Sequence, residues 1–337
     1  MKFRGILLAV IGSFVLSCGG GGGQKIINGA GSSFVYPIMS RWTSDYYKET
    51  GIRINYQSIG SGGGIRQVSA RTVDFGASDA PLTPRELDST KLYQFPIIVG
   101  GVVPVVNLKG VEKGQLKLSS QAICGIFLGK IEKWNDPLIK DLNPHLNLPD
   151  MHITVVHRSD GSGTTWLWTN YLSKACPEWK EKVGYGKSVD WPVGIGAKGN
   201  EGVSNYVKQN PGSIGYVEFA YAIQNNLTYT LLENRAGKFV EPSIETFRSA
   251  TANANWNPDE HFYTILTWQE GEDSWPVVGA VFALLPREKK ETNKLIIDFF
   301  DWAFENGDES AKRLHYVPLP QSVKAKVRDY WKAVVSE

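Results

Sequence analysis

Three times along this chain, a β-rich run gives way to a helical run through a turn built almost wholly of small residues. The turns are Gly29-Ala30-Gly31-Ser32-Ser33-Phe34, Gly60-Ser61-Gly62-Gly63-Gly64 and Asp160-Gly161-Ser162-Gly163-Thr164-Thr165. Short β-rich runs alternating with helix-period runs predict an α/β fold. A helix N-terminus exposes unpaired N–H groups and about half a positive charge. Glycine lets an anion approach that backbone closely, and Ser or Thr adds a hydroxyl donor. Three such ends aimed at one point make an anion site without net charge. Taken singly, each turn is also an ordinary N-cap or loop. The first has Phe34 where a dinucleotide fingerprint needs a third glycine, and none ends in the Gly-Lys-Ser/Thr of a P-loop. The pattern therefore favours a small anion over a nucleotide.

Charge supports a local rather than a global attraction. The chain has 337 residues, a length that suggests about two domains. It carries 36 Lys+Arg against 34 Asp+Glu, and two of the basic residues, Lys2 and Arg4, lie at the extreme N-terminus. There they precede the apolar run Gly5 to Leu16, too short for a bilayer-spanning helix, which takes about 20 residues. Val15-Leu16-Ser17-Cys18 reads as a bacterial lipobox, with Leu16 a looser fit, so residues 1–18 are expected to be a lipoprotein signal ending at the lipidated Cys18. The competing reading is a plain secretory signal with Cys18 incidental. Residues 19–25, opening on five glycines, form a short flexible tether. Without Lys2 and Arg4 the charges balance, so no overall positive field draws in nucleic acid.

Along the rest of the chain, Arg53 to Ser58, Val73 to Ser78, Ile153 to Arg158, Ser213 to Val217 and Val277 to Leu285 read as strands. Pro37 to Lys48 reads as a helix with Ile38, Trp42 and Tyr46 on one face, and further helices are expected over Ile65–Ala70, Gln121–Leu128, Thr164–Leu172, Leu295–Phe304 and Val323–Trp331. Phe95 to Asn107 is one long strand or two, its Gly100-Gly101 and Pro104 suggesting a bend or crossover. Cys124 and Cys176 sit in apolar, helix-like stretches and are expected as buried free thiols, with a disulfide, which an oxidising compartment permits, as the alternative. The five histidines, 145, 152, 157, 261 and 315, show no metal-ligand spacing, so no metal or other cofactor is expected.

Two charged residues sharpen the anion reading. Arg158, two residues before the third turn, is the cation placed to bond an oxyanion with its planar fork. Its competing role is a salt bridge to Asp160, and the two roles are compatible. Asp79, at the end of Asp74-Phe75-Gly76-Ala77-Ser78, is either a turn cap before Pro81 or a carboxylate inside the anion site. The second makes sense only if the anion carries a proton to donate.

The three turns, with Ile59 before the second, Asp74 to Leu82 and Arg158 to Thr164 together resemble the phosphate-binding proteins of bacterial phosphate importers. Gly129-Lys130-Ile131 with Trp134-Asn135, Gly215-Tyr216-Val217-Glu218 and Gly271-Glu272-Asp273-Ser274-Trp275-Pro276 extend the resemblance over nearly the whole mature chain. It implies a two-lobed periplasmic binding protein fold, type II-like, with the ligand in the interdomain cleft and a two-strand hinge near Asn107 and Trp275. Lobe I would comprise residues 26–107 plus 276–337, and lobe II residues 108–275. By motif position, the implied phosphate contacts are Ser33, Phe34 through its backbone, Ser61, Asp79, Arg158, Ser162, Gly163 and Thr164. Ser33 stands where the family often has Thr, and the hydroxyl is retained. The implied function is binding of inorganic phosphate in the periplasm or at the cell surface, by a lipid-anchored monomer that delivers it to the permease subunits of an ABC importer.

Three other readings compete. A phosphate-ester hydrolase needs a nucleophile with an activating base, or a metal pair, and no such arrangement accompanies the Gly-Ser turns; the chain reads as a binding protein without catalytic residues. A receptor for sulfate or another fully ionised oxyanion conflicts with Asp79. An adhesin or sensor reusing the same fold is the third.

Overall fold

The computed structural model describes residues 26–336, so the expectations for the signal, Cys18 and the tether lie outside the described residues. The main sheet is built from β1 (Ile26–Gly31), β2 (Arg53–Ser58), β3 (Phe75–Ser78), β4 (Leu92–Val106), β5 (Thr154–Arg158), β6 (Ile195–Ala197), β7 (Ser213–Glu218) and β8 (Val278–Pro286). Their spatial order is β2-β1-β3-β8-β4-β7-β5-β6, with the two-residue strand Thr228–Tyr229 beside β4. A separate small sheet joins Lys117–Leu118, Leu231–Glu233 and Phe239–Val240.

β4 organises the whole. All fifteen of its residues are buried, as expected of a central strand covered on both faces. From Leu92 to Gly101 it pairs antiparallel with β8; from Val102 to Val106 it pairs antiparallel with β7. It is one strand, not two: Gly100 and Gly101 do not interrupt it. A Cβ on Gly100 would lie 2.8 Å from the Phe34 ring, and one on Gly101 would overlap Phe247. These glycines make room for aromatic rings, and the change of partner falls just after them. The sheet thereby divides into a first half (β1, β2, β3, β8) and a second half (β5, β6, β7), with β4 shared by both.

In each half, parallel strands alternate with helices: β1 pairs with β2 and β3, and β5 pairs with β6 and β7. The helices that matter to the site are α1 (Tyr36–Thr50), α2 (Ser61–Ser69), α3 (Gly163–Ala175) and α4 (Gly199–Gln209). α1 buries Ile38, Trp42 and Tyr46, the face expected from their spacing. α2 begins four residues earlier than its apolar pattern suggests, so Gly62, Gly63 and Gly64 lie inside a helix. Each such glycine costs about 0.5–1 kcal/mol relative to alanine. Contact explains them: a Cβ on Gly64 would press to 2.6 Å from Ala30 O, and one on Gly62 to 3.0 Å from Gly161 Cα. Close approach of α2 to β1 and to the third turn outweighs helix propensity.

The cysteines correct an expectation. Cys124 and Cys176 are buried, but they form a disulfide, with Cα atoms 6.2 Å apart. Cys176 caps the junction between α3 and the helix Pro177–Lys182, accepting a bond from Trp179 N. That turn swings its sulfur toward the helix Ser120–Phe127 that carries Cys124. A pairing across 52 residues leaves no local trace in the sequence.

Candidate functional site

In open α/β sheets, ligands sit beyond the carboxyl ends of the parallel strands. Six such ends converge here. On the first half, Ser33 and Phe34 follow β1, Ser61 follows β2 and Asp79 follows β3. On the second, Arg158 ends β5, Asn200 follows β6 and Glu218 ends β7.

Asp79 stands at the meeting point. Its carboxylate accepts from Ser61 Oγ at 2.6 Å and from Thr164 Oγ1, across from the other half, at 3.2 Å. Gly163 is pressed against both: any Cβ there would overlap the Asp79 carboxylate and lie 2.5 Å from Ser61 Oγ. Burial raises the Asp79 carboxyl above the usual carboxylate range, against the opposing effects of the Ser61 hydrogen bond and the Arg158 charge. Asn200 ties the cluster together. It donates to Ser33 Oγ from its backbone N at 3.1 Å and from Nδ2 at 2.9 Å, and Nδ2 also reaches Thr164 Oγ1 at 3.1 Å.

Arg158 makes the salt bridge to Asp160 and keeps one nitrogen apart from it. Its Nε donates to Asp160 Oδ1 at 2.7 Å and its Nη2 to Asp160 Oδ2. Nη1 is buried with no hydrogen-bond partner among the described residues. Burial works against the guanidinium charge, but the Asp160 carboxylate more than offsets it, so the group is held firmly protonated. Its backbone N–H donates to Tyr216 Oη at 3.1 Å, and that hydroxyl is 2.6 Å from Thr165 Oγ1 at the start of α3. Asp160 also accepts from Gly199 N at 3.0 Å, which joins the third turn to the N-terminus of α4.

Ser162 is an N-cap, its Oγ accepting from Thr165 N at 2.9 Å, while its own backbone N–H goes to Lys187 O. It can offer only its hydroxyl proton to a ligand. Phe34 buries its ring against Gly100, and its carbonyl accepts from Tyr316 Oη at 2.6 Å. Ser61, Asp79, Gly163 and Thr164 are thus brought together directly and Ser33 joins them through Asn200, with Phe34, Ser162 and Arg158 around them. Gly62 N to Gly161 O, at 2.8 Å, joins the second and third turns across the two halves.

Sequence reasoning did not find Asn200, Glu218, Tyr221 or Tyr316. A signal existed for the first, because Lys198-Gly199-Asn200-Glu201-Gly202 is a fourth strand-to-helix turn of small and polar residues. It follows a strand of only three residues, and Gly199 has the positive φ of 71° that favours glycine.

Among the described residues, no group of three His, Cys, Asp or Glu could hold a metal ion. A profile of the PBP superfamily domain matches residues 18–306. The phosphate-binding protein PstS of Pasteurella multocida is 55% identical over 338 residues, covering 99% of this chain and 97% of that protein. The solved structure of PfluDING, a high affinity periplasmic phosphate-binding protein bound with phosphate, superposes with a TM-score of 0.74 at 22% identity, over 90% of this chain and 93% of that one. A phosphate binding protein from Stenotrophomonas maltophilia superposes at 0.66 with 20% identity, over the same shares. At such identities the solved structures show a shared α/β bilobal fold, while identity along nearly two whole sequences shows descent: the chain belongs to the PstS phosphate-binding proteins of the PBP superfamily.

Proposed function

We propose that this protein captures inorganic phosphate outside the cytoplasmic membrane and delivers it to an ABC phosphate importer. One observation carries the reading: a buried carboxylate, Asp79, stands among hydroxyl donors and near a buried guanidinium whose Nη1 has no partner among the described residues. Donors alone suit any tetrahedral oxyanion. A carboxylate among them suits one that still bears a proton, as phosphate does near neutral pH. Ser33, Phe34, Ser61, Asp79, Arg158, Ser162, Gly163 and Thr164 form the binding set on this reading. Arg158 Nη1 supplies the charge-assisted bond, worth about 1.5–3 kcal/mol, and each neutral hydroxyl about 0.5–1.5 kcal/mol.

The finer architecture follows the same reading. The fold is type II-like, with lobe I formed by 26–107 and 276–337 and lobe II by 108–275, closing about two strand connections near Asn107 and Trp275. The partner exchange within β4 supports this hinge. Cys18 carries the lipid anchor, and the protein works as a monomer.

The test is calorimetric titration of the mature protein, stripped of ligand, with phosphate. Saturable binding at one site per chain is expected; absence of heat at every concentration would refute phosphate capture.

A further inference from the structure

Two tyrosine hydroxyls end on the carbonyls of two successive residues. Tyr221 Oη donates to Ser33 O at 2.6 Å, and Tyr316 Oη donates to Phe34 O at 2.6 Å. Each hydroxyl also lies 3.0 Å from a glutamate: Tyr221 from Glu201 Oε1, Tyr316 from Glu218 Oε2. The arrangement spans the sheet. Ser33 and Phe34 belong to the first half, whereas Tyr221 and Glu201 are carried by helices of the second. Tyr316 sits on the first half beside β4, through the Val99–Val317 bridge, and reaches across to Glu218 at the end of β7. Glu201 Oε1 also accepts from Ser58 Oγ at 2.9 Å, a third link between the halves.

We propose that Tyr221 and Tyr316 are positioning residues for phosphate capture: their hydroxyls hold the Ser33 and Phe34 carbonyls and tie them to the second half, Tyr221 directly and Tyr316 through Glu218, and so set how long bound phosphate is held. The proposal rests on the phosphate-binding role of Ser33 and Phe34. A carbonyl fixed on each peptide fixes the plane in which its N–H points, and the two contacts that cross between the halves, Tyr221 to Ser33 O and Tyr316 to Glu218, break when the halves separate. Clamping therefore acts on escape from the closed state, which is where most affinity differences between related complexes arise.

The two clamps differ in their access to water. Tyr316, Glu218 and Phe34 are fully buried, so nothing replaces a lost hydroxyl there. Burial also raises the Glu218 carboxyl well above its usual range, against the opposing effect of its contact with Tyr316 Oη. Tyr221 and Glu201 line a cavity of about 460 Å³ with Tyr36, Pro37 and Ser40. Water can enter there and stand in for a missing hydroxyl.

The experiment is stopped-flow measurement of phosphate association and dissociation for the wild type, Tyr221→Phe, Tyr316→Phe and the double variant, with thermal unfolding of each without ligand. Dissociation should quicken roughly tenfold in Tyr316→Phe and roughly threefold in Tyr221→Phe, with association within about twofold of wild type. Unliganded melting temperatures should fall too little to rank the variants in this order. Wild-type dissociation rates in both single variants would overturn the clamp, as would a lowered melting temperature alone. A wild type that binds no phosphate would instead overturn the proposed function.

Discussion

The molecule buries two cations equally deeply and uses them differently. The side chains of Arg158 and Lys324 are each 1% exposed, and each is paired with an aspartate. Lys324, on the C-terminal helix Gln321–Ser336, spends all three ammonium protons: Phe304 O at 2.6 Å and the two Asp308 oxygens at 2.8 and 2.7 Å. Its charge also lies 5.6 Å from the Phe304 ring centre. Arg158 spends Nε and Nη2 on Asp160 and keeps Nη1 unpaired among the described residues. Burial and an ion pair describe both sites. The count of donors still unspent separates a structural tie from a site that can take an anion.

The comparison can be broken by substitution. Lys324→Met should lower stability by about 3 kcal/mol, because it leaves a buried carbonyl and a half-buried carboxylate without their partner. Urea unfolding reads the loss, and phosphate affinity should not change; an affinity loss would mean the two regions are coupled. Arg158→Ala should weaken phosphate binding by one to two orders of magnitude, about 1.4–2.8 kcal/mol, in an equilibrium titration. If the variant bound phosphate as the wild type does, Arg158 would be only the partner of Asp160, and the contrast with Lys324 would vanish.

Smaller effects sharpen it. Ser61→Ala removes one neutral donor, and affinity should fall by about 0.5–1.5 kcal/mol, at most roughly tenfold. A loss as large as that of Arg158→Ala would place the main anchor on the first half. The pH dependence follows from Asp79, whose folded-state carboxyl is raised by burial. As pH falls through a window that lies above the ordinary carboxylate range, Asp79 gains a proton and becomes a donor. Sulfate should then bind progressively better relative to phosphate, as competition titrations across that window would record. A ratio independent of pH would argue against an ionised Asp79 in the site.

The first half of the site was the more legible in sequence. Ser33, Ser61 and Asp79 sit one to three residues beyond strand ends, in or beside turns whose glycines announce close approach. Arg158 and Ser162 to Thr164 were legible for the same reason. What the sequence hid depends on long-range contact. Tyr316 meets Phe34 from 282 positions away, and the Cys124–Cys176 pairing joins positions 52 apart. The glycines of α2 misled the helix boundary because propensity is local, whereas the contacts that require those glycines come from β1 and the third turn. Gly100 and Gly101 suggested an interruption for the same reason: the rings that fill their missing side chains lie elsewhere in the chain.

On the proposed reading, Asp79 is the group that tells a protonated oxyanion from a fully ionised one. An ionised Asp79 accepts a phosphate O–H but meets sulfate with lone pairs opposed. An unpaired buried acceptor costs about 1–3 kcal/mol, and more when charged. The direct measurement is competition among phosphate, arsenate and sulfate at fixed neutral pH, for the wild type and Asp79→Asn. The wild type should accept arsenate, which also carries a proton, and reject sulfate by several orders of magnitude. Asp79→Asn should narrow that gap, since its amide can offer NH2 to sulfate or oxygen to phosphate. An unchanged phosphate-to-sulfate ratio in the variant would contradict the account and leave Asp79 a turn cap.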